Sequence, residues 1–226
     1  MDGASRQDPP RAREDGPARR DPEGVRRDIL AAAGAVFAEK GLSGARIDEI
    51  AARTRTSKRM IYYYFGDKEG LYRACLEVAY EQVRRGEEEL DLAGLPPETA
   101  LARLVAFTFD HHRRHPDFIR MVMVENIHDA RHLRGAASAR SLNRPAIDRL
   151  RDILERGRRA GVFRPDIDPL ELHWLISALA VFNVSNRATF STLFGDALFD
   201  EAGQARLRER AVEMVLTLVR IPKERQ

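Results

Sequence analysis

Residues 53–65 read RTRTSKRMIYYYF. Arg53, Arg55, Lys58 and Arg59 place four cations and no acid within seven residues, and Tyr62, Tyr63 and Tyr64 follow without a break. Ser57 precedes the tyrosine segment and suits a helix N-cap, because its hydroxyl can accept a bond from a first-turn N–H. Ile61 and Phe65 lie four apart, which gives the segment an apolar edge. The spacing predicts a short helix whose outer face is cationic and phenolic.

Working outward, Ile47, Ile50 and Ala51 mark another short helix in RIDEIAARTR, separated from the first by only two or three residues. Upstream, Asp21-Pro22 reads as an N-cap followed by proline at the first helical position. Val25, Ile29, Ala33, Val36 and Phe37 then recur at three-to-four spacing, and Gly41 stops the run. Downstream, Asp67 caps a longer helix from Lys68 towards Leu90. Three helices with a tight turn before the third, followed by a long one, form a helix-turn-helix arrangement over residues 21–70.

LDLAGLPPE at 90–98 interrupts the pattern, and helical periodicity then resumes. It runs through ETALARLVAFTFDHH, PDFIRMVMVENI, RPAIDRLRDILERGRRAG, DPLELHWLISALAVFNV and EAGQARLRERAVEMVLTLVR. No strand-period run of any length is present. The predicted fold is all-α: an N-terminal three-helix helix-turn-helix domain, then a C-terminal helical domain over residues 71–226. Residues 1–20 lack apolar periodicity and are rich in Pro, Gly and Arg, so a disordered tail is expected there.

The net charge is only +3, with 38 Lys and Arg against 35 Asp and Glu. Between residues 25 and 72 there are nine cations against six acids, so the N-terminal module accounts for the whole excess. The single cysteine, Cys75, excludes an intramolecular disulfide framework. The densest apolar stretch, WLISALAVF at 174–182, is about half the length needed to cross a bilayer. The first twenty residues hold Pro, Asp and Arg where a secretory leader would be apolar. A cytoplasmic protein with no membrane partner is expected.

In a helix-turn-helix, the second helix of the pair enters the major groove and its first residues reach base edges. Here those residues are Lys58, Arg59 and Met60. Lys and Arg can pair with guanine acceptors, and Met60 offers an apolar contact to a thymine methyl. Arg53 and Arg55 lie where phosphates should pass. Tyrosine hydroxyls are neutral phosphate donors on a stiff side chain. Tyr62 and Tyr64 are expected at the backbone, with Tyr63 at the groove or partly packed.

At these residues GLSGARIDEIAARTRTSKRMIYYYFGDKEGLY, residues 41–72, resembles the DNA-binding region of the tetracycline-repressor (TetR) family. The shared frame includes Gly41-Leu42, the I-x-x-I-A of Ile47, Ile50 and Ala51, then Ser57, IYYYF and DKEGL. The resemblance implies a homodimeric regulator of double-stranded DNA whose C-terminal domain takes a small-molecule effector. It carries DNA contacts onto Ser57, Lys58, Arg59, Met60, Tyr62, Tyr63, Tyr64 and Lys68. The chain departs from the family in the turn, which is Thr54-Arg55-Thr56 where Ala-Gly-Val is usual. Losing that glycine costs little if Arg55 can take a helical or bridge conformation; otherwise an altered turn is expected. Arg59 stands where a small residue is frequent, and Ala45-Arg46 replaces a threonine cap, which brings Arg46 to phosphate.

Phe107, Met121, Trp174 and Phe182 supply the apolar lining an effector pocket requires, with Glu125 and Ser177 as polar anchors. Phe118, Met123, Asn126, His173 and Asn183 are further candidates of the same kind. Residues 170–184 are apolar nearly all round, and Leu207, Ala211, Met214, Val215 and Leu218 stripe the last helix. A four-helix seam between two copies would cover both. HDARH at 128–132 and the pair His111/His115 have the i, i+4 spacing of zinc ligands, but the sequence names no third ligand. No metal, no cofactor and no catalytic residue is expected. Cys75 reads as a small buried hydrophobe.

Overall fold

A computed structural model describes residues 21–135 and 137–222. The expected disordered tail over 1–20 lies outside the described residues. Within them ten α-helices follow one another: α1 Pro22–Gly44, α2 Ile47–Thr54, α3 Lys58–Phe65, α4 Lys68–Glu88, α5 Pro97–Arg114, α6 Pro116–Ile127, α7 Ala137–Arg159, α8 Pro169–Ser185, α9 Arg187–Phe194 and α10 Glu201–Val219. A single 3-10 turn, Leu133–Gly135, lies between α6 and α7.

Local chemistry explains most of the boundaries. Ser57 Oγ accepts a bond from Met60 N at 3.3 Å, and Asp67 Oδ1 accepts one from Gly70 N at 2.6 Å. Asp168 Oδ1 accepts from Leu170 N at 2.7 Å and Glu171 N at 3.0 Å. Each carboxylate or hydroxyl satisfies N–H groups that a first turn leaves unpaired. Asp21 differs: it occupies the N-cap of α1 but makes no cap bond, and faces Arg27 at 3.6 Å instead. Gly41 (φ 65°, ψ 177°) breaks α1 where its stop was expected, and one further turn follows. Helix α7 starts well before Pro145, which sits inside it. Helix α9 has no counterpart in the sequence reading, and none of its residues is buried.

Two hydrophobic cores hold the helices. The first gathers Ile29, Val36 and Phe37 of α1, Ile47 and Ile50 of α2, Ile61 of α3 and Leu71, Tyr72, Cys75 and Leu76 of α4. Met121 of α6 closes it, so this core reaches past residue 70 into the following domain. The second gathers Leu101, Leu104 and Phe109 of α5, Leu150, Ile153 and Leu154 of α7, Leu172 and Ile176 of α8, and Ala211, Val215 and Val219 of α10. Phe163 joins it by lying against α7 at Gly157, where any Cβ would come within 1.9 Å of the ring. Helix α4 runs from the first core towards the second. At Gly86 the ring of Phe107 takes up the space a side chain would need, 2.5 Å from where Cβ would stand.

Candidate nucleic-acid interface and effector domain

Helix α3 is fixed by its one buried residue, Ile61, and turns its other faces outward. Tyr62 is 46% and Tyr63 78% exposed. Lys58, Arg59 and Ser57 are exposed as well. Two expectations are narrowed here. Tyr63 is the most open of the three tyrosines, in line with the groove alternative and not the partly packed one, and its ring meets the Tyr64 ring edge-on at 5.4 Å. Tyr64 is half-buried against the first core, so a backbone role for it is shared with packing. Met60 is also half-buried.

The acids of α2 decide which cations remain available. Glu49 accepts from Lys40 at 2.8 Å and from Arg53 at 2.7 Å, and Arg53 also reaches Glu39 at 3.5 Å. The hydrogen bond from Lys40 and both positive charges hold the Glu49 carboxyl below its ordinary value. Arg53 is therefore engaged with carboxylates, and a phosphate would have to compete with them for it. Lys58 contacts the Asp48 carboxylate across the turn. Among the described residues, Arg46, Arg55 and Arg59 carry no ion pair, and all three are exposed. Arg46 occupies the N-cap of α2 and makes no side-chain cap bond. Lys68 donates to the Ala45 carbonyl at 3.1 Å, which ties the start of α4 to the entry of α2. An ammonium has three donors, so two stay open towards an anion.

Arg55 takes φ 52°, ψ 29°, the left-handed conformation, so the helical or bridge geometry that would make the loss of glycine cheap is not the one adopted. The turn thus keeps the backbone that glycine would adopt, although the residue is arginine. That conformation costs an L-residue about 1–2 kcal/mol.

The effector candidates are not brought together. Trp174 is 69% and Phe182 57% exposed, on the outer side of α8. Met121 is sealed in the first core, and its carbonyl accepts from Tyr72 Oη at 3.4 Å. Glu125 is buried and already bonded, to His132 Nδ1 at 2.9 Å and to the His132 and Leu133 N–H groups at 3.1 Å each. These placements correct the grouping of Met121, Glu125, Trp174 and Phe182 around one ligand. Phe107 lies against Gly86, and Ser177 is half-buried on α8. His128 is exposed at the end of α6 while His132 is buried on Glu125. Among the described residues no three His, Cys, Asp or Glu side chains gather as metal ligands. Cys75 is buried, its thiol near the Leu30 carbonyl at 3.6 Å, and burial pushes its pKa up to about 12.

The sequence reading missed a cluster centred on α4. Arg84 and Arg149 both bond to Glu87, at 2.8 and 2.7 Å. His111, His112 and His173 lie within reach of the Arg84 charge. Burial, then neighbouring positive charge, lowers the His111 pKa to about 4 and the His112 pKa to about 3, and lowers that of His173. Burial pushes the Glu87 carboxyl up, against the pull of the two guanidiniums. The signal was present in the sequence: Leu76, Tyr80, Val83 and Glu87 share one helical stripe, and a carboxylate on an apolar stripe needs a buried partner.

Residues 29–75 match the bacterial regulatory proteins of the tetR family, and residues 97–215 match the tetracyclin repressor-like C-terminal domain. The chain belongs to the tetR family. It is a helix-turn-helix transcriptional regulator of that family, and α2 and α3 are the tetR-type reading pair. The HTH-type transcriptional repressor NicS of Pseudomonas putida is 39% identical over 181 residues, covering 80% of this chain and 85% of NicS. A transcriptional regulator of Streptomyces coelicolor, SCO4942, superposes with a TM-score of 0.63 at 27% identity, covering 88% of this chain and 99% of its own. A tetR-family regulatory protein from Rhodococcus RHA1 shares the fold with a TM-score of 0.69 at 22% identity, covering 88% and 98%. No helix among the described residues is long and apolar enough to cross a membrane.

Two outcomes follow from this geometry. Arg55→Gly removes the left-handed penalty but adds freedom to the unfolded chain, so the net gain is about 0.5–1 kcal/mol. For a chain of this size the thermal midpoint should rise by roughly 1–4 °C, measured by circular dichroism. The buried histidines give a pH dependence. Their folded pKa values lie below the unfolded value of about 6.5, so below that pH the unfolded chain binds more protons and stability falls as pH drops. The loss should build between pH 6.5 and about 4, where the folded rings begin to protonate. Thermal midpoints across that range should fall less steeply for His112→Gln than for the wild type.

Proposed function

We propose that this regulator is a repressor, not an enzyme, and that it binds a palindromic operator as a cytoplasmic homodimer released by a small-molecule effector. The observation that carries the DNA half is the outer face of α3: Arg59, Tyr62 and Tyr63 stand open on a helix whose inner side is held by buried Ile61 with Tyr64 and Phe65 packed beside it. Arg46 and Arg55 flank it as unpaired charge suited to phosphate. Repression, rather than activation, is the reading favoured by the similarity to the repressor NicS.

The dimer reading rests on α8 and α10. Within one chain α8 buries only Leu172, Ile176 and Ala180, while Leu170, Trp174, Leu175 and Phe182 are exposed on its other side. An almost wholly apolar groove of about 720 Å³ runs between α8, α9 and α10, lined by Leu175, Phe182, Phe190, Met214 and Leu218 among others. Apolar surface of this extent favours burial. A second copy, packing its own α8 and α10 across a two-fold axis, would supply the cover and set two α3 helices about 34–36 Å apart, one turn of duplex. Effector binding that shifts α4 would change that spacing, and operator must then weaken effector binding by the same factor.

The test is a fluorescence-anisotropy titration with DNA from immediately upstream of the gene, beside shuffled DNA and a salt series. A preference of about 10³-fold or more is expected. Arg59→Ala should lose about 1–3 kcal/mol at one base position and leave shuffled DNA unaffected. An equal loss on every sequence would remove Arg59 from base reading. Sedimentation should give a dimer for the wild type and a monomer for Phe182→Glu/Met214→Glu; a dimeric double variant would place the interface elsewhere.

A further inference from the structure

Helices α4, α5, α7 and α8 enclose more positive charge than the fold uses. The side chains of Arg84, Arg149 and Glu87 are 12%, 19% and 5% exposed. Two guanidiniums share one carboxylate, so one positive charge is in excess. Glu88, whose charge acts on Glu87, is exposed; Glu125, whose charge acts on Tyr80, is bonded to His132; and Asp110, next to His111 in the chain, pairs with Arg208 at 2.8 Å. Three polar atoms of the cluster are also buried without a partner among the described residues, Arg84 Nε, His111 Nδ1 and His112 Nδ1. His111 and His112 are both more than nine-tenths buried. An orphaned guanidinium nitrogen in a core is unfavourable unless another group satisfies it.

The surroundings are flat and aromatic. Phe107 meets His111 at 5.4 Å, His112 meets Phe118 at 5.7 Å, and Phe118 meets Tyr80 at 5.1 Å. We propose that this cluster is the anion-binding end of the effector site. Arg84, with the Nδ1 atoms of His111 and His112 and with His173 beside them, takes the carboxylate of a small aromatic acid whose ring lies among Phe107, Phe118 and Tyr80. The assignment rests on the effector-controlled reading above and names the class of effector.

The charge state fits a monoanion. Burial keeps the histidines neutral, so they offer N–H donors in the Nδ1 tautomer without adding charge. The single excess charge then matches one carboxylate, and a cation is disfavoured. The site also reaches the DNA-reading half. Arg84 and Glu87 are on α4, whose first turns are part of the same core as Ile61 of α3. A carboxylate drawing on Arg84 competes with Glu87 for the guanidinium and so acts on the helix that carries the reading head.

The probes are benzoate, phenylacetate and cinnamate, each against its neutral amide, on the full chain of wild type, Arg84→Met and Arg84→Lys. Calorimetric titration and thermal unfolding are the readouts. At least one acid should bind with one site per chain and raise the midpoint, with its amide weaker by roughly tenfold or more, as loss of a charge-assisted pair requires. Arg84→Met should lose at least that factor while Arg84→Lys recovers part of it. Glu87 keeps Arg149 in both variants, and a cooperative unfolding transition shows that they fold. Should Arg84→Met not fold, His173→Phe should weaken the acid and spare the amide. No binding of any acid at millimolar concentration overturns the site, as does equal binding of acid and amide or an Arg84→Met affinity equal to wild type. A chain that prefers its upstream DNA but ignores all three acids keeps the regulator and refutes this site. One that binds an acid but no DNA does the reverse.

Discussion

Helix α4 is held at both ends by buried contacts that differ in kind, and the position of everything else follows from it. Near its start, Tyr72 is fully buried, edge-on to Phe37 at 5.1 Å, and donates to the Met121 carbonyl at 3.4 Å. Near its end, Glu87 joins Arg84 of the same helix to Arg149 of α7. The first contact is mostly apolar and tolerates little movement, because close-packed interiors resist deformation. The second is ionic and buried, so its strength depends on what other charge is present. A rod with one stiff and one electrostatically adjustable end is a physical basis for coupling two sites, and it needs no chain of intermediate residues.

The electrostatics of the reading head are narrower than the composition suggests. Nine cations fall between residues 25 and 72, yet Lys40 and Arg53 are bound to Glu49 and Lys58 meets Asp48. Those pairs stiffen the α1–α2–α3 corner more than they attract a polyanion. Exposed pairs of this kind are worth little stability individually, about 0–1 kcal/mol. Their effect is to leave Arg46, Arg55 and Arg59 as the charges a duplex would meet first.

The parts of the fold that were legible in the sequence are those with local causes. Ser57, Asp67 and Asp168 cap their helices within three residues, so spacing alone finds them. The helix-turn-helix was legible for the same reason, as its apolar positions all fall within one short window. What failed was long-range. Periodicity shows that α8 is apolar on two sides but not which side faces inward, so Trp174 and Phe182 were assigned to an interior they do not line. Glu87 has one partner three residues away, Arg84, but the other, Arg149, is 62 residues away in the chain, beyond any pattern. Arg55 adopts its left-handed turn because the flanking helices impose it, not because arginine prefers it. Helix α9 buries nothing and so leaves no stripe to read.

Where Phe107 rests on α4, it meets bare backbone at Gly86 rather than a side chain. Helices normally lock through ridges of side chains seated in the partner's grooves, and each ridge crossed in sliding is a barrier. At this contact α4 presents no ridge. The ring fills the notch that Gly86 leaves, close to the ionic joint at Glu87, so it approaches the α4 backbone more nearly than any side chain there would allow, and a turn of α4 that brought a neighbouring side chain into that notch would have to move the ring.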